Sequence, residues 1–474
     1  VPNFSSDSRF GPLPVALSAC GLLALASLAA PIEPLYDPWA WLVWGRELAG
    51  LDLDTSSGPS WKPLPSLVAV PLSAFGAAAP DLWLALARAG WLAVPVLAWR
   101  LAARLVGVPG AQAAAAGAIA ALGTILLADD FTAWVRQGAG GLAEPALAAL
   151  VLGAVEAHLS GRSRLALGLA LAACLIRPEA WPFAALYAWH EVRAGTIRPW
   201  AAGAGAALVA AAWFLPDLAG AGNPLEGAGR ARGADNSPLE ALGWAAAMPP
   251  AALWAGVVAG VLPWRGHLPA PAGTLVAGAL AWIALVAAMA AAGYAGLPRF
   301  MVPAIAVLSA VGAAGLVRAA TAGRGWVAAA AGAAALALAV QAGVRAADVP
   351  GELERIGDDS AAIADLRDLA AADPGAFSGC GGLWTSDFLT HTPLAWQLDL
   401  PLSAIVTTGT VAPADGRLVV GARTDPALAA RTESSGVVIA ADDVWLVFGT
   451  GSCARDQARS GSTPAVAGVS GARR

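Results

Sequence analysis

The chain has 474 residues, of which 58% are hydrophobic and 13% charged, with a mean hydropathy of +0.63 and a formal net charge of -5 at pH 7. Soluble globular domains run at about 45–50% apolar and about 25% charged residues, so the composition excludes an ordinary soluble enzyme. The absence of any lysine-rich or arginine-rich block argues against nucleic acid as a partner.

The apolar residues fall into many runs of roughly 20, each long enough for a helix to cross the hydrocarbon core. Helices rather than a barrel then satisfy the backbone. By length, about eleven spans are expected, near residues 13 to 31, 81 to 106, 111 to 127, 142 to 159, 164 to 176, 179 to 191, 199 to 217, 240 to 263, 272 to 292, 300 to 318 and 325 to 345. The first run ends at Ser27-Leu28-Ala29-Ala30, as a cleaved signal peptide would. A retained span is preferred, because further spans follow and the next loop needs anchoring at both ends.

That loop, residues 32 to 65, carries five carboxylates, four tryptophans and Lys62, the only lysine of the chain. Asp37 follows the first span closely, and Trp39, Trp41 and Trp44 around it suit an amphipathic helix at the interface. Such a carboxylate either marks the bilayer boundary or meets the head group of a lipid-linked substrate. Lys62, before Pro63, is either an anchor at a helix start or a compact phosphate-binding charge. Glu33, Glu47, Asp52 and Asp54 read as loop solvation. Residues 64 to 78 are apolar but interrupted by Pro65 and Pro71 and followed by Pro80, which predicts a helix at or dipping into the interface.

A second loop holds Asp129 and Asp130, with Arg136 beyond them and Glu144 at the head of the next span. Adjacent acids at a span end are expensive near lipid unless they face water, a cation or a partner, and the two are equivalent at this level. Arg177 and Glu179 flank Pro178 between two short apolar runs, which predicts a tight hairpin. An ion pair between them or a role lining a cavity would offset their burial. Arg299 opens a late span, where it either snorkels to the interface or reaches an anionic ligand.

From about residue 346 the chain changes character. Residues 352 to 372 show helical spacing of apolar residues, and β-like runs follow at Leu383 to Thr385, Ser403 to Thr407, Leu418 to Val420, Val437 to Ala440 and Val444 to Phe448. The division expected is a membrane domain over 1–345 and a small α/β domain over 346–474, with a disordered end after Cys453. Cys20 and Cys174 lie in apolar runs as small hydrophobes. Cys380 and Cys453 would suit a disulfide in an oxidising compartment, without being required to form one. Basic residues are slightly commoner in the loops that lie inside if the N-terminus is cytoplasmic, which also places the tail outside the plasma (inner) membrane. Walker-type and dinucleotide glycine patterns are absent. His158, His190, His267 and His391 lack zinc spacing, and His391 reads as a surface residue.

The order of an apolar span, Tyr36-Asp37 at its outer end, a Trp-rich juxtamembrane helix and Lys62-Pro63-Leu64 before an apolar helix resembles the polytopic GT-C glycosyltransferases. The protein O-mannosyltransferase and lipid A aminoarabinose transferase branch is the nearest in pattern. The resemblance implies an α-helical polytopic fold with outer juxtamembrane helices. It implies inverting transfer of a sugar from a polyprenyl-phosphate donor to a glycan, lipid or protein acceptor. Asp37 would be the catalytic base or its helper, and Asp130 or Asp129 would orient sugar or acceptor. Lys62 and Arg299 would hold the donor phosphate. Tyr36, Arg136, Glu144, Arg177 and Glu179 are candidates to line the cavity. No metal is required, although the acidic pair leaves room for a divalent ion. The rival readings are a flippase for lipid-linked glycans, which would expose internal repeats and polar residues midway along its helices, and a membrane scaffold with a functional tail.

Overall fold

The computed structural model describes residues 13–126, 131–233, 236–322, 325–409, 411–421, 426–433 and 436–460. All eleven apolar segments are helical in their described parts, although one is split in two. Among the described residues, five helices are long and apolar enough to cross a membrane, or up to seven if each of two bent pairs counts as one span. The others are shorter, among them Leu13–Ala26, Ala111–Ile125 and Ser163–Cys174. The expected single span over 240–263 is broken into Pro238–Ala247 and Ala251–Val261, bent by 87°. Its cause is the Pro249-Pro250 pair, which removes two backbone donors and disfavours a helical residue before each ring. A second bend of 89° separates Ala133–Ala139 from Ala143–Leu159.

The helix Val302–Ala322 is the axis of the bundle and is buried along almost its whole length. Small residues let its neighbours approach. A Cβ placed on Gly315 would sit 1.9 Å from the Gly256 carbonyl oxygen, and one on Gly312 would sit 2.4 Å from that of Leu253. Backbone therefore packs on backbone between Val302–Ala322 and Ala251–Val261, the arrangement that small residues permit where dispersion and packing, not water exclusion, hold helices together.

The helix Tyr36–Gly50 is buried from Asp37 to Gly45, Trp39, Trp41 and Trp44 included. It lies against Pro63–Ser73, where a Cβ on Gly45 would come within 2.5 Å of Ala69 Cβ. The loop between these helices is pinned from outside: Ser60 Oγ donates to the Gly227 carbonyl at 2.8 Å, Trp61 Nε1 to that of Ala212 at 3.0 Å, and Arg230 to those of Gly58 and Thr55.

The C-terminal α/β domain has a five-stranded sheet of β1 (Gly382–Thr385), β2 (Ile405–Thr407), β3 (Gly416–Gly421), β4 (Val437–Ala441) and β5 (Trp445–Thr450), in the order β2-β1-β3-β5-β4. β1 pairs in parallel with β2 and β3, and β5 antiparallel with β3 and β4. Cys380 and Cys453 form a disulfide. Cys453 itself lies in the helix Ser452–Ser460, so the chain directly beyond the disulfide is helical and the expected disorder does not begin there.

Two further expectations need correction. His391 is buried, with Nε2 2.8 Å from the Leu402 carbonyl; it faces inward from the helix Phe388–Gln397, whose apolar face is covered. Glu33 and Asp54 do more than solvate their loop: Glu33 pairs with Arg367 at 3.0 Å and Asp54 accepts from Ser403. Arg46 adds an ion pair with Asp399 at 2.7 Å and donates to the Leu400 carbonyl at 2.9 Å. The loop acids and Arg46 thus dock the C-terminal domain onto Tyr36–Gly50. Glu47 is buried as well; burial pushes its carboxyl up to about 7, against the hydrogen bond it accepts from the Asp54 amide. Asp52 is exposed, as expected.

Candidate active site

Charged residues that begin or precede helices converge at one end of the bundle. Lys62 is held extended (φ -132°, ψ 111°) because Pro63 follows it, the restriction proline imposes on its predecessor. Its ammonium therefore reaches back past the Trp41 ring, 5.0 Å from the centroid, to donate to Asp37 Oδ2 at 2.8 Å. Arg177, before Pro178, is extended in the same way (φ -145°, ψ 135°). It makes a forked contact with Glu179, 2.6 Å at the closest, and lies over the Phe300 ring at 3.3 Å. Asp37, Glu144 and Glu179 each sit in the first turn of a helix, where the exposed backbone N–H groups favour a negative charge.

Glu144 is the centre of this cluster. It is 0% exposed, and its Oε1 lies 3.6 Å from Lys62 Nζ, 3.5 Å from Arg177 and 3.7 Å from Arg299. Lys62 and Asp37 are 6% and 8% exposed. Among the described residues, three carboxylates (Asp37, Glu144, Glu179) thus balance three cations (Lys62, Arg177, Arg299), which lets a buried charge group persist at tolerable desolvation. The balance is incomplete in detail. Among the described residues, Glu144 Oε2 and Arg299 Nε have no hydrogen-bond partner.

The cluster opens on one side into a cavity of about 750 Å³, whose wall includes Tyr36, Asp37, Arg136, Arg299, Trp244 and Phe388. The Tyr36 phenol is pushed up to about 12 by burial and then by the Asp37 charge, so it stays a hydrogen-bond donor. Phe388 comes from the C-terminal domain and meets Tyr36 edge-on at 5.2 Å. Thr392 of the same helix donates to the Tyr36 carbonyl at 2.9 Å. A second, largely apolar cavity of about 690 Å³ runs between helices, lined by Val151, Phe183, Leu275, Trp282 and Pro303 among others.

Of the sequence candidates, Tyr36, Asp37, Arg136 and Arg299 line the first cavity, while Lys62, Glu144, Arg177 and Glu179 stand behind it. Asp129 and Asp130 lie outside the described residues. Glu144 emerges as central from geometry. A sequence signal for it existed: Asp37, Lys62, Glu144 and Arg177 each precede a proline, and Arg299 follows one.

The fold is one already seen in solved structures. ArnT from Cupriavidus metallidurans bound to undecaprenyl phosphate superimposes with a TM-score of 0.51 at 17% identity, covering 92% of this chain and 97% of that one. The apo state of the same protein gives 0.52 at 16% identity over the same shares. The α-helical polytopic fold with a small C-terminal α/β domain expected from the sequence is thereby borne out, and the chain is a multi-pass membrane protein. No protein-family model matches the chain, and no curated protein matches it in sequence.

Proposed function

We propose that this protein is an inverting glycosyltransferase that moves a sugar from a polyprenyl phosphate to an acceptor hydroxyl. The observation that carries the reading is the Asp37–Lys62–Glu144–Arg299 cluster, which presents a carboxylate and a guanidinium to one cavity. The fold shared with ArnT, seen with undecaprenyl phosphate, supports a polyprenyl-linked donor.

In this scheme Arg299 and Lys62 hold the donor phosphodiester, and the apolar cavity lined by Phe183 and Trp282 takes the lipid chain. The acceptor oxygen attacks the anomeric carbon from the face opposite the phosphate. The bond from that carbon to the phosphate oxygen breaks, and polyprenyl phosphate leaves with a second negative charge. The acceptor proton passes to Asp37. Charge is then conserved within the site: as Asp37 is neutralised, Lys62 loses its ion-pair partner and its ammonium turns to the phosphate that is gaining charge. Lys62 thus binds the leaving group more strongly in the transition state than in the ground state, which is what lowers the barrier. Glu144 holds the three cations in place throughout. Asp129 or Asp130 orients sugar or acceptor, and the scheme itself needs no metal.

The membrane part extends to residue 345, with a cytoplasmic N-terminus and the domain from 346 onward outside the plasma membrane. The Cys380–Cys453 disulfide supports that orientation, because such bonds persist in oxidising compartments. Reconstitution in vesicles with a radiolabelled polyprenyl-phosphate sugar tests the reading. The label is expected to leave the lipid and appear covalently on an added acceptor. Label that crosses the bilayer while still lipid-linked would instead establish a flippase.

A further inference from the structure

A third cavity of about 610 Å³ lies between the Tyr36–Gly50 region and the C-terminal domain. Leu35, Tyr36, Arg136 and Leu389 line both this cleft and the cavity that holds Asp37, so the two adjoin. Arg136 pairs with Asp359 across their junction. The lining of the cleft is mostly apolar but carries a surplus of carboxylates among the described residues: of Glu33, Asp358, Asp359 and Asp387, Glu33 pairs with Arg367 and Asp359 with Arg136, which leaves Asp358 and Asp387 as the excess. Ser360, Ser386 and Thr390 add hydroxyls, and Tyr36, Ile363 and Leu389 add apolar surface. Trp39 is 1% exposed, and its indole N–H has no hydrogen-bond partner among the described residues. Leaving a buried donor unmade is costly, and a ligand oxygen in the cleft would complete it.

We propose that this cleft is the acceptor site and that it selects an uncharged or amine-bearing saccharide, excluding anionic acceptors. The inference deepens the glycosyltransferase reading, on which the word acceptor rests. Carboxylates accept from sugar hydroxyls and side-chain hydroxyls accept from or donate to them, apolar side chains pack on the C–H faces of pyranose rings, and the surplus of negative charge repels a uronate or phosphorylated glycan. The C-terminal domain, by supplying one wall, becomes part of the substrate site and not merely a cap.

Saturation-transfer NMR on the full chain in lipid nanodiscs, free of glycoside detergent, tests this with three disaccharides: neutral, amino and uronate. The wild type should saturate the neutral and amino sugars and leave the uronate unaffected. Ala361→Trp, at an exposed helix position in the wall, should weaken binding by about tenfold or more by filling the cleft. Asp358→Arg should admit the uronate. Equal saturation of the uronate by the wild type, or undiminished binding by a folded Ala361→Trp protein, would overturn the proposal. Added polyprenyl phosphate should leave the disaccharide signal in place. If the sugars bind as expected but the reconstituted protein turns over no donor, the glycosyltransferase reading fails and the saccharide site stands.

Discussion

Asp37→Asn should abolish transfer, lowering kcat by about 10²–10⁴-fold, the range that a positioned general base supplies. The substitution is nearly isosteric and keeps an oxygen to accept from Lys62, so thermal unfolding should shift little. Donor affinity should hold or rise. In the wild type Lys62 donates to Asp37 at 2.8 Å and lies 3.6 Å from Glu144; neutralising Asp37 releases part of that ammonium to the phosphate. A fall in kcat with unchanged or lower KM for the donor is therefore the signature. A variant that folds and keeps full activity would remove Asp37 from the chemistry.

Lys62→Met should have the larger effect on the fold. It leaves Asp37 and Glu144 buried with two guanidiniums, one of them committed to Glu179. Breaking a buried ion pair from one side costs about 3–5 kcal/mol, enough to lower the unfolding temperature sharply. Pairing it with Asp37→Asn removes the orphaned charge, and the double variant should recover much of the stability and none of the activity. That non-additivity is the test of direct coupling. Strict additivity in stability would mean that the two side chains do not sustain each other. Lys62→Arg keeps the charge, but its planar fork replaces a compact ammonium beside Trp41, so it should fold better than Lys62→Met and transfer poorly.

Much of the architecture was legible because hydropathy acts locally. Each apolar run became helix, and each of the five β-like runs became a strand within a residue or two of its expected place. The break near Pro249-Pro250 was readable in principle, since two adjacent prolines cannot continue a helix; the length criterion passed over it. The site was half legible. Asp37, Lys62 and Arg299 stood out by type and position, and they do come together. That Lys62 serves Asp37 in the resting state was not readable, because it depends on where the extended Lys62-Pro63 step points in space. Nor was the place of Glu144, whose three cations come from segments far apart in the chain. The same holds for Glu33, Arg46 and Asp54: their partners lie more than 300 residues away, and composition alone cannot separate a docking charge from a solvated one.

The proposed mechanism requires a lipid-linked phosphate where Lys62 and Arg299 meet Glu144. Cryo-electron microscopy of the protein saturated with polyprenyl phosphate in nanodiscs locates that group directly. Phosphate density within hydrogen-bond reach of Arg299 and Lys62, with its chain entering the apolar cavity beside Phe183 and Trp282, is the result expected. Phosphate density elsewhere, with the Asp37–Lys62 pair and the Arg299 side chain undisturbed, would contradict it.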